Sequence, residues 1–253
     1  MRFNSANINV MVKASSQASK IIIRDFGELE KLQVSLKGPG DFVTASDKKV
    51  EKILIDELQK ARPDYSILSE EIGEIKNKNK DFRWIIDPID GTNNFMHAIP
   101  HFAISIALEH KSEIICGVIF DPIKNELFFA EKGNGSFLNN QRIRVSSRKE
   151  IENSILFSSG HNEEYKKISN KIISPVRNFG SAALDLAYVA AGRCDACWEK
   201  NINYWDIAAG LILIKEAGGF ISDLQGNNNY LENRTILATN SGINKDMINL
   251  FNS

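Results

Sequence analysis

The sequence predicts an α/β protein whose sheets and helices lie in layers around one continuous core. Three observations predict it. The first third carries two segments with helical apolar spacing, the middle is a run of short apolar strands separated by turn residues, and the second half alternates strands with helices. No internal repeat and no linker-like stretch interrupts the chain, so residues 1–253 are expected to form a single domain.

The elements follow in order. Met11 to Leu36 is expected to be one long amphipathic helix, with Val12, Ile22, Ile23, Phe26 and Leu29 apolar among charges. Lys37-Gly-Pro-Gly40 breaks it and reads as a mobile loop. A second helix over Asp47–Lys60 places Val50, Ile53, Leu54 and Leu58 on one face, and Pro63-Asp64 ends it. Tyr65–Leu68 is a short strand leading into Glu70-Glu71, and Phe82–Ile86 is a buried strand that runs into Asp87. Strands are expected at Phe102–Glu109, Glu113–Asp121 and Glu126–Glu131, and turns at Gly133-Asn-Gly135 and Asn139-Asn140. The second half reads strand Ser154–Ser158, helix Ser181–Ala191, strand Asp195–Glu199, helix Ile207–Ala217 and strand Phe220–Asp223.

Charge and composition exclude several classes of function. Net charge is −1, from 31 basic and 32 acidic residues, so no global field attracts nucleic acid or an anionic membrane. A site for an anionic substrate then needs local positive charge, from a bound cation or from aimed backbone amides. Three cysteines, an odd number in a long chain, fit a reducing compartment better than a disulfide scaffold. The N-terminus has no signal-peptide pattern and no segment reaches the length of a membrane span, so a cytoplasmic location is expected.

The chemistry concentrates in Trp84-Ile-Ile-Asp-Pro-Ile-Asp-Gly-Thr-Asn-Asn-Phe95. A buried apolar strand ends in two carboxylates, Asp87 and Asp90, separated by two residues. Pro88 stops the strand and removes a donor, and Gly91 permits a sharp turn or close approach to a ligand. Two acids this close repel unless a cation lies between them. Magnesium suits the parts, because it takes oxygen ligands and shares its shell with phosphate, and the Ile89 carbonyl adds one more oxygen. The amides of Gly91 and Thr92 can point at a phosphate. The plainer alternative is a solvated Asp-Pro turn capping a helix, which the Trp-Ile-Ile strand before it and the Thr after it disfavour.

Other acidic residues could meet this segment in space. Glu70 could bridge a metal to an attacking water, or belong to an exposed charged turn. Asp206 precedes an apolar helix and could equally be its N-cap or a metal ligand. Asp47 carries the same two readings.

Together these stretches resemble the inositol monophosphatase family, within the lithium-sensitive, magnesium-dependent phosphatases. Asp87-Pro-Ile-Asp-Gly-Thr-Asn-Asn-Phe95 is similar to its first signature, and Trp205-Asp-Ile-Ala-Ala-Gly210 with Glu216-Ala-Gly-Gly219 to its second. Asp41-Phe-Val-Thr-Ala-Ser-Asp47, Glu70-Glu71 and residues 180–193 match in the expected order, the last run being closest to bacterial members. The resemblance implies a layered αβαβα sandwich, usually homodimeric, with two or three Mg2+ ions per site. It implies that Glu70, Asp87 and the Ile89 carbonyl hold one ion and Asp87, Asp90 and Asp206 a second. By the same resemblance Thr92 with Asp47, and Glu70, orient and deprotonate the nucleophilic water, and the amides of Gly91 and Thr92 bind phosphate. Gly180, Ser181, Ala182 and Glu199 would line the pocket around the alcohol, and Asp90 and Asp206 would also bind substrate.

The implied reaction is hydrolysis of a phosphorylated polyol, inositol 1-phosphate first. Fructose 1,6-bisphosphate, 3′-phosphoadenosine 5′-phosphate and histidinol phosphate are alternatives, and a protein-binding role in RNA metabolism is a separate reading. Strong direct nucleic-acid binding is not expected from so neutral a chain. The sequence departs from the family between Gly160 and Gly180, which looks short, and has Asn178 after Arg177 where relatives often carry two arginines. Cys194-Asp-Ala-Cys197 follows a helix instead of opening one, which favours a structural role over a redox one. His97 and His101 are expected to pack or face solvent, since magnesium chemistry needs no histidine, and Lys37 is expected to be solvated.

Overall fold

The computed structural model describes residues 5–28, 34–38, 41–158, 163–170, 172–173 and 175–252. Helix α1 spans Ala6–Phe26, with the Ser5 hydroxyl accepting from the Ile8 N–H at its start. Ile8, Met11, Ala18 and Ile22 form its buried stripe. The expected helix over 11–36 is therefore corrected. Gly27 ends it ten residues early, and Val34–Gly38 (β1) pairs antiparallel with Asp41–Thr44 (β2). The alternation Val34-Ser-Leu36-Lys has strand period, and it governs once a poor helix former has stopped the helix. Pro39 and Gly40 of the expected loop lie outside the described residues.

Helix α2 (Ala45–Ala61) lies beside α1. Strands β3 (Tyr65–Ser69), β4 (Gly73–Ile75) and β5 (Asn79–Asp90) follow, then a short helical turn α3 (Thr92–Met96). A meander follows: β6 (Ala103–His110), β7 (Glu113–Asp121), β8 (Glu126–Glu131), β9 (Gly135–Leu138) and β10 (Gln141–Ile143). The glycine and asparagine turns expected around Gly135 and Asn139 are the bends that flank β9. These strands make one eight-stranded sheet ordered β10-β9-β8-β7-β6-β5-β3-β4, in which only β3 and β5 are parallel.

The second half supplies β11 (Leu156–Ser158), α4 (Glu163–Ser169), α5 (Ala182–Ala190), β12 (Ala196–Lys200), α6 (Tyr204–Glu216), β13 (Phe220–Ser222), β14 (Thr235–Thr239) and α7 (Asn244–Phe251). Its strands form a four-stranded sheet ordered β11-β12-β14-β13.

Side-chain alternation assembles the layers. Trp84, Ile86, Ile104, Ile106 and Leu108 pack with α1 and α2 on one face of the large sheet. Ile85, Ala103 and Ala107 pack with α5 and α6 on the other, and Cys197, Ile236 and Ala238 close that layer from the small sheet. Trp198 and Leu237 point the opposite way, onto Ile168 of α4 and Met247 of α7. The order is thus helices, sheet, helices, sheet, helices: the αβαβα sandwich. Small residues set the tight inner spacing. A Cβ at Gly117 of β7 would lie 2.6 Å from Ile212 Cγ2 and 2.7 Å from the Ala209 carbonyl of α6.

Candidate active site

The parallel strands β3 and β5 end side by side, with Ser69 in register with Ile86 and the Glu70 N–H donating to the Ile86 carbonyl at 3.3 Å. Glu70 and Asp87 therefore leave adjacent strand ends. Strict alternation along β5 would send Asp87 and Asp90 to opposite faces. The pairing with β6 shifts between them, Asp87 opposite Ser105 but Asp90 opposite Ala103, so three steps on β5 match two on β6. This bulge, at Pro88 where a donor is missing, brings both carboxylates to one side. Oxygens of Asp87, Asp90 and Asp206 lie within 4.8 Å of one another.

Asp206 enters from α6, where it is not the N-cap. Asn203 is, and Asp206 is the third helical residue, its Oδ2 accepting from the Asn203 N–H at 2.8 Å. Asp206 both closes the capping box and reaches the acidic cluster, so its two readings coexist. Asp47 sits in the first turn of α2, buried behind the cluster and close enough to raise the Asp87 pKa.

The turn after β5 is built for close approach. Gly91 adopts φ 93°, and a Cβ there would meet the carbonyls of His101 and Gly180 at 3.1 and 3.2 Å. The Thr92 hydroxyl donates to the Ile89 carbonyl at 2.9 Å, linking two residues proposed for different roles. Ser181 is corrected from a cleft residue to a buried support. Its hydroxyl donates to Asp90 Oδ2, which also accepts from the Ala183 N–H at 2.9 Å, so the start of α5 fixes one oxygen of Asp90.

A cleft of about 290 Å3 opens over these groups. Glu70, Asp87, Ile89, Asp90, Gly91, Thr92, Gly180, Ala182, Glu199 and Asp206 line it. Lys200, Asn201, Ile202 and Asn203 line it too, and sequence reasoning passed them over. Their one signal was position, between Glu199 and the Trp205-Asp206 signature. A larger cleft of about 430 Å3 lies elsewhere, but its Arg83 and Glu109 neutralise each other at 2.7 Å, and Tyr204 also donates to Glu109.

The electrostatics suit a cation. Burial first, then Glu70, Asp90, Asp206 and Asp47, push the Asp87 carboxyl well above the usual range. Burial raises Asp90 to about 6 against the opposing bonds from Ser181 and Ala183. Burial, then Asp90, raises Asp206 to about 8. Asp87 Oδ1 is buried without a hydrogen-bond partner, and among the described residues no lysine or arginine ion-pairs with Asp87, Asp90 or Asp206. An all-oxygen set of like charges, with Asp87 Oδ1 buried and unpartnered, fits a hard divalent ion.

The remaining candidates fall outside the cleft. His101 is buried on Phe179 and Tyr188, and burial, then Lys124, lowers it to about 4, so it is a neutral packing residue; His97 is exposed. Cys194 and Cys197 are buried free thiols, pushed well up chiefly by burial. The side chain of Lys37 lies outside the described residues. Among the described residues no helix is long and apolar enough to cross a membrane.

Clustered buried carboxylates beside a tight glycine turn, in this layered architecture, fit a metal-dependent phosphoric monoester hydrolase. The sequence matches the inositol monophosphatase family over residues 4–251, and the chain belongs to that family. It is 47% identical to an inositol-1-monophosphatase of Mesorhizobium japonicum, covering 96% of this chain and 95% of that protein. It is 40% identical to the Nus factor SuhB of Haemophilus influenzae, over 96% and 94%. The crystal structure of extragenic suppressor protein suhB from Bartonella henselae superposes with a TM-score of 0.94 at 46% identity, covering 98% of each chain.

Proposed function

We propose that the chain, acting as one domain, hydrolyses inositol 1-phosphate to inositol and phosphate with Mg2+. The observation that carries the reading is the cluster of Asp87, Asp90 and Asp206, whose oxygens lie within 4.8 Å of one another. Glu70, Asp87 and the Ile89 carbonyl would hold one ion and Asp87, Asp90 and Asp206 a second, two or three ions per site being the proposed count. Bound magnesium supplies positive charge that offsets the phosphate dianion and lowers the pKa of water.

The chain's own groups do the rest. Glu70 and the Thr92–Asp47 pair orient the attacking water and take its proton. The Thr92 hydroxyl has one proton, now given to the Ile89 carbonyl, so this role requires it to turn toward Asp47. The Gly91 and Thr92 amides receive phosphate oxygens. Water forms the new P–O bond as the bond to the alcohol breaks, so no covalent phosphoenzyme arises. Glu199, carried on β12 and buried at the cleft wall, accepts hydrogen bonds from polyol hydroxyls, with Gly180 and Ala182 shaping the space beside it.

The test is phosphate release from inositol 1-phosphate, fructose 1,6-bisphosphate, 3′-phosphoadenosine 5′-phosphate and histidinol phosphate, each with Mg2+. Highest catalytic efficiency on inositol 1-phosphate, inhibited by lithium, is expected. Wild-type turnover by Asp90→Asn or Asp206→Asn would sink the metal assignment. A homodimer in the cytoplasm is the expected form, checked by sedimentation and cell fractionation. The name of the Haemophilus relative favours a second reading, a protein-binding role in RNA metabolism. A partner retained by Asp87→Asn in a pull-down would support it.

A further inference from the structure

Glu51 lies one helical turn beyond Asp47, on the same face of α2, and is 2% exposed. One of its oxygens, Oε1, accepts three hydrogen bonds: from Ser69 Oγ at 2.5 Å, from the Glu71 N–H at 3.1 Å and from the Ile72 N–H at 3.2 Å. These donors bracket Glu70, whose own N–H is tied to Ile86 on the other side. A segment leaving a strand end normally gains conformational freedom. Here residues 69–72 are pinned both to β5 and to a buried carboxylate. The residue between the pins, Glu70, faces the cleft beside Asp87.

We propose that Glu51 is a positioning residue, its carboxylate stapling the turn over residues 69–72 so that Glu70 is held toward Asp87. Helix α2 then serves the site twice, presenting Asp47 directly and fixing Glu70 through Glu51. Ordering Glu70 in advance removes an entropic cost from cation binding. This rests on the reading of Glu70 as a metal-holding residue.

The test is calorimetric titration of the full chain with Mg2+ alone, beside the Mg2+ dependence of turnover and thermal unfolding. Glu51→Ala is expected to weaken Mg2+ binding about tenfold or more, with kcat at saturating Mg2+ within about threefold of the unaltered protein. Glu51→Gln keeps the acceptor oxygen and is expected to bind Mg2+ within about threefold. Glu51→Asp keeps the charge but retracts the oxygen, and is expected to bind weakly. It carries the test if Glu51→Ala does not fold. In a Glu70→Gln background, Glu51→Ala is expected to add less than about a twofold loss. Equal losses in both backgrounds, or weak binding by Glu51→Gln with normal binding by Glu51→Asp, overturn the proposal. Unaltered binding by Glu51→Ala, when Glu70→Gln binds poorly, overturns this inference alone. Unaltered binding by Glu70→Gln overturns the reading of Glu70 itself.

Discussion

Asp206→Asn should make the metal-free protein more stable at alkaline pH while removing its response to magnesium. The amide keeps the acceptor that Asn203 N–H needs and deletes a charge that burial and Asp90 oppose. The unfolded carboxyl titrates near 3.8 and the folded one at about 8. The folded state thus holds an extra proton between those values, and the unaltered protein loses stability as pH rises from about 4 to about 8. At about 1.4 kcal/mol per tenfold, the whole displacement corresponds to about 6 kcal/mol. Asp206 is partly open to solvent and titrates together with its neighbours, so about 1–3 kcal/mol is the share expected from one substitution. For a chain of this size that raises the unfolding midpoint by about 2–10 °C at pH 8. The advantage should vanish near pH 4, where Asp206 is already neutral. Thermal unfolding in chelator at pH 4, 6 and 8, repeated with Mg2+, measures it. Magnesium should stabilise the unaltered protein most at pH 8 and Asp206→Asn far less. A pH-independent loss of stability in Asp206→Asn would refute the repulsion argument.

Asp87→Asn removes the acid that faces Glu70, Asp90, Asp206 and Asp47 at once, so turnover should fall about a thousandfold or more. Magnesium titration heat should disappear while the circular dichroism spectrum stays unchanged. Gly117→Ala puts a methyl group against the backbone of α6 and should cost about 1–3 kcal/mol, read as a lower urea midpoint at constant slope. The thiols should resist a disulfide reagent in the native state, because burial holds Cys194 and Cys197 well above the normal range and burial with Glu131 lifts Cys116 to about 12. All three should react once the chain is unfolded.

Much of the fold was legible because its elements carry clean periodicity. In β6 large residues alternate with small ones, and in β5 Trp84-Ile-Ile86 is an unbroken apolar run, so the strands could be read and both faces were destined for burial. What periodicity misses is a change of period without a marker. Helix α1 ends at Phe26 and strand β1 begins at Val34, while the sequence pattern around Leu29 and Leu36 fits a helix wheel and so hides the change. Strand β14 (Thr-Ile-Leu-Ala-Thr) is buried on both sides and too short to show alternation, so it left no signal apart from its apolarity.

The site divides along the same line. Residues proposed to act through their side chains, Glu70, Asp87, Asp90 and Asp206, could be named from chemistry and motif. The geometry joining them could not, because it depends on pairings distant in the chain. Asp87 and Asp90 share a face only because β5 carries an extra residue, Pro88 and Ile89 standing against the single Ile104 of β6. Asp90 turns one oxygen toward the cluster because the start of α5, about ninety residues later, occupies the other. Glu51 and Ser181 are the clearest cases. Glu51 reads in sequence as an ordinary polar residue of a helix and Ser181 as one lining the cleft, and each owes its role to a carboxylate or turn that the sheet delivers to it. Residues that act through another residue carry no motif of their own. They become visible only where a buried polar atom meets several donors around a reactive neighbour, as three donors do at Glu51 beside Glu70.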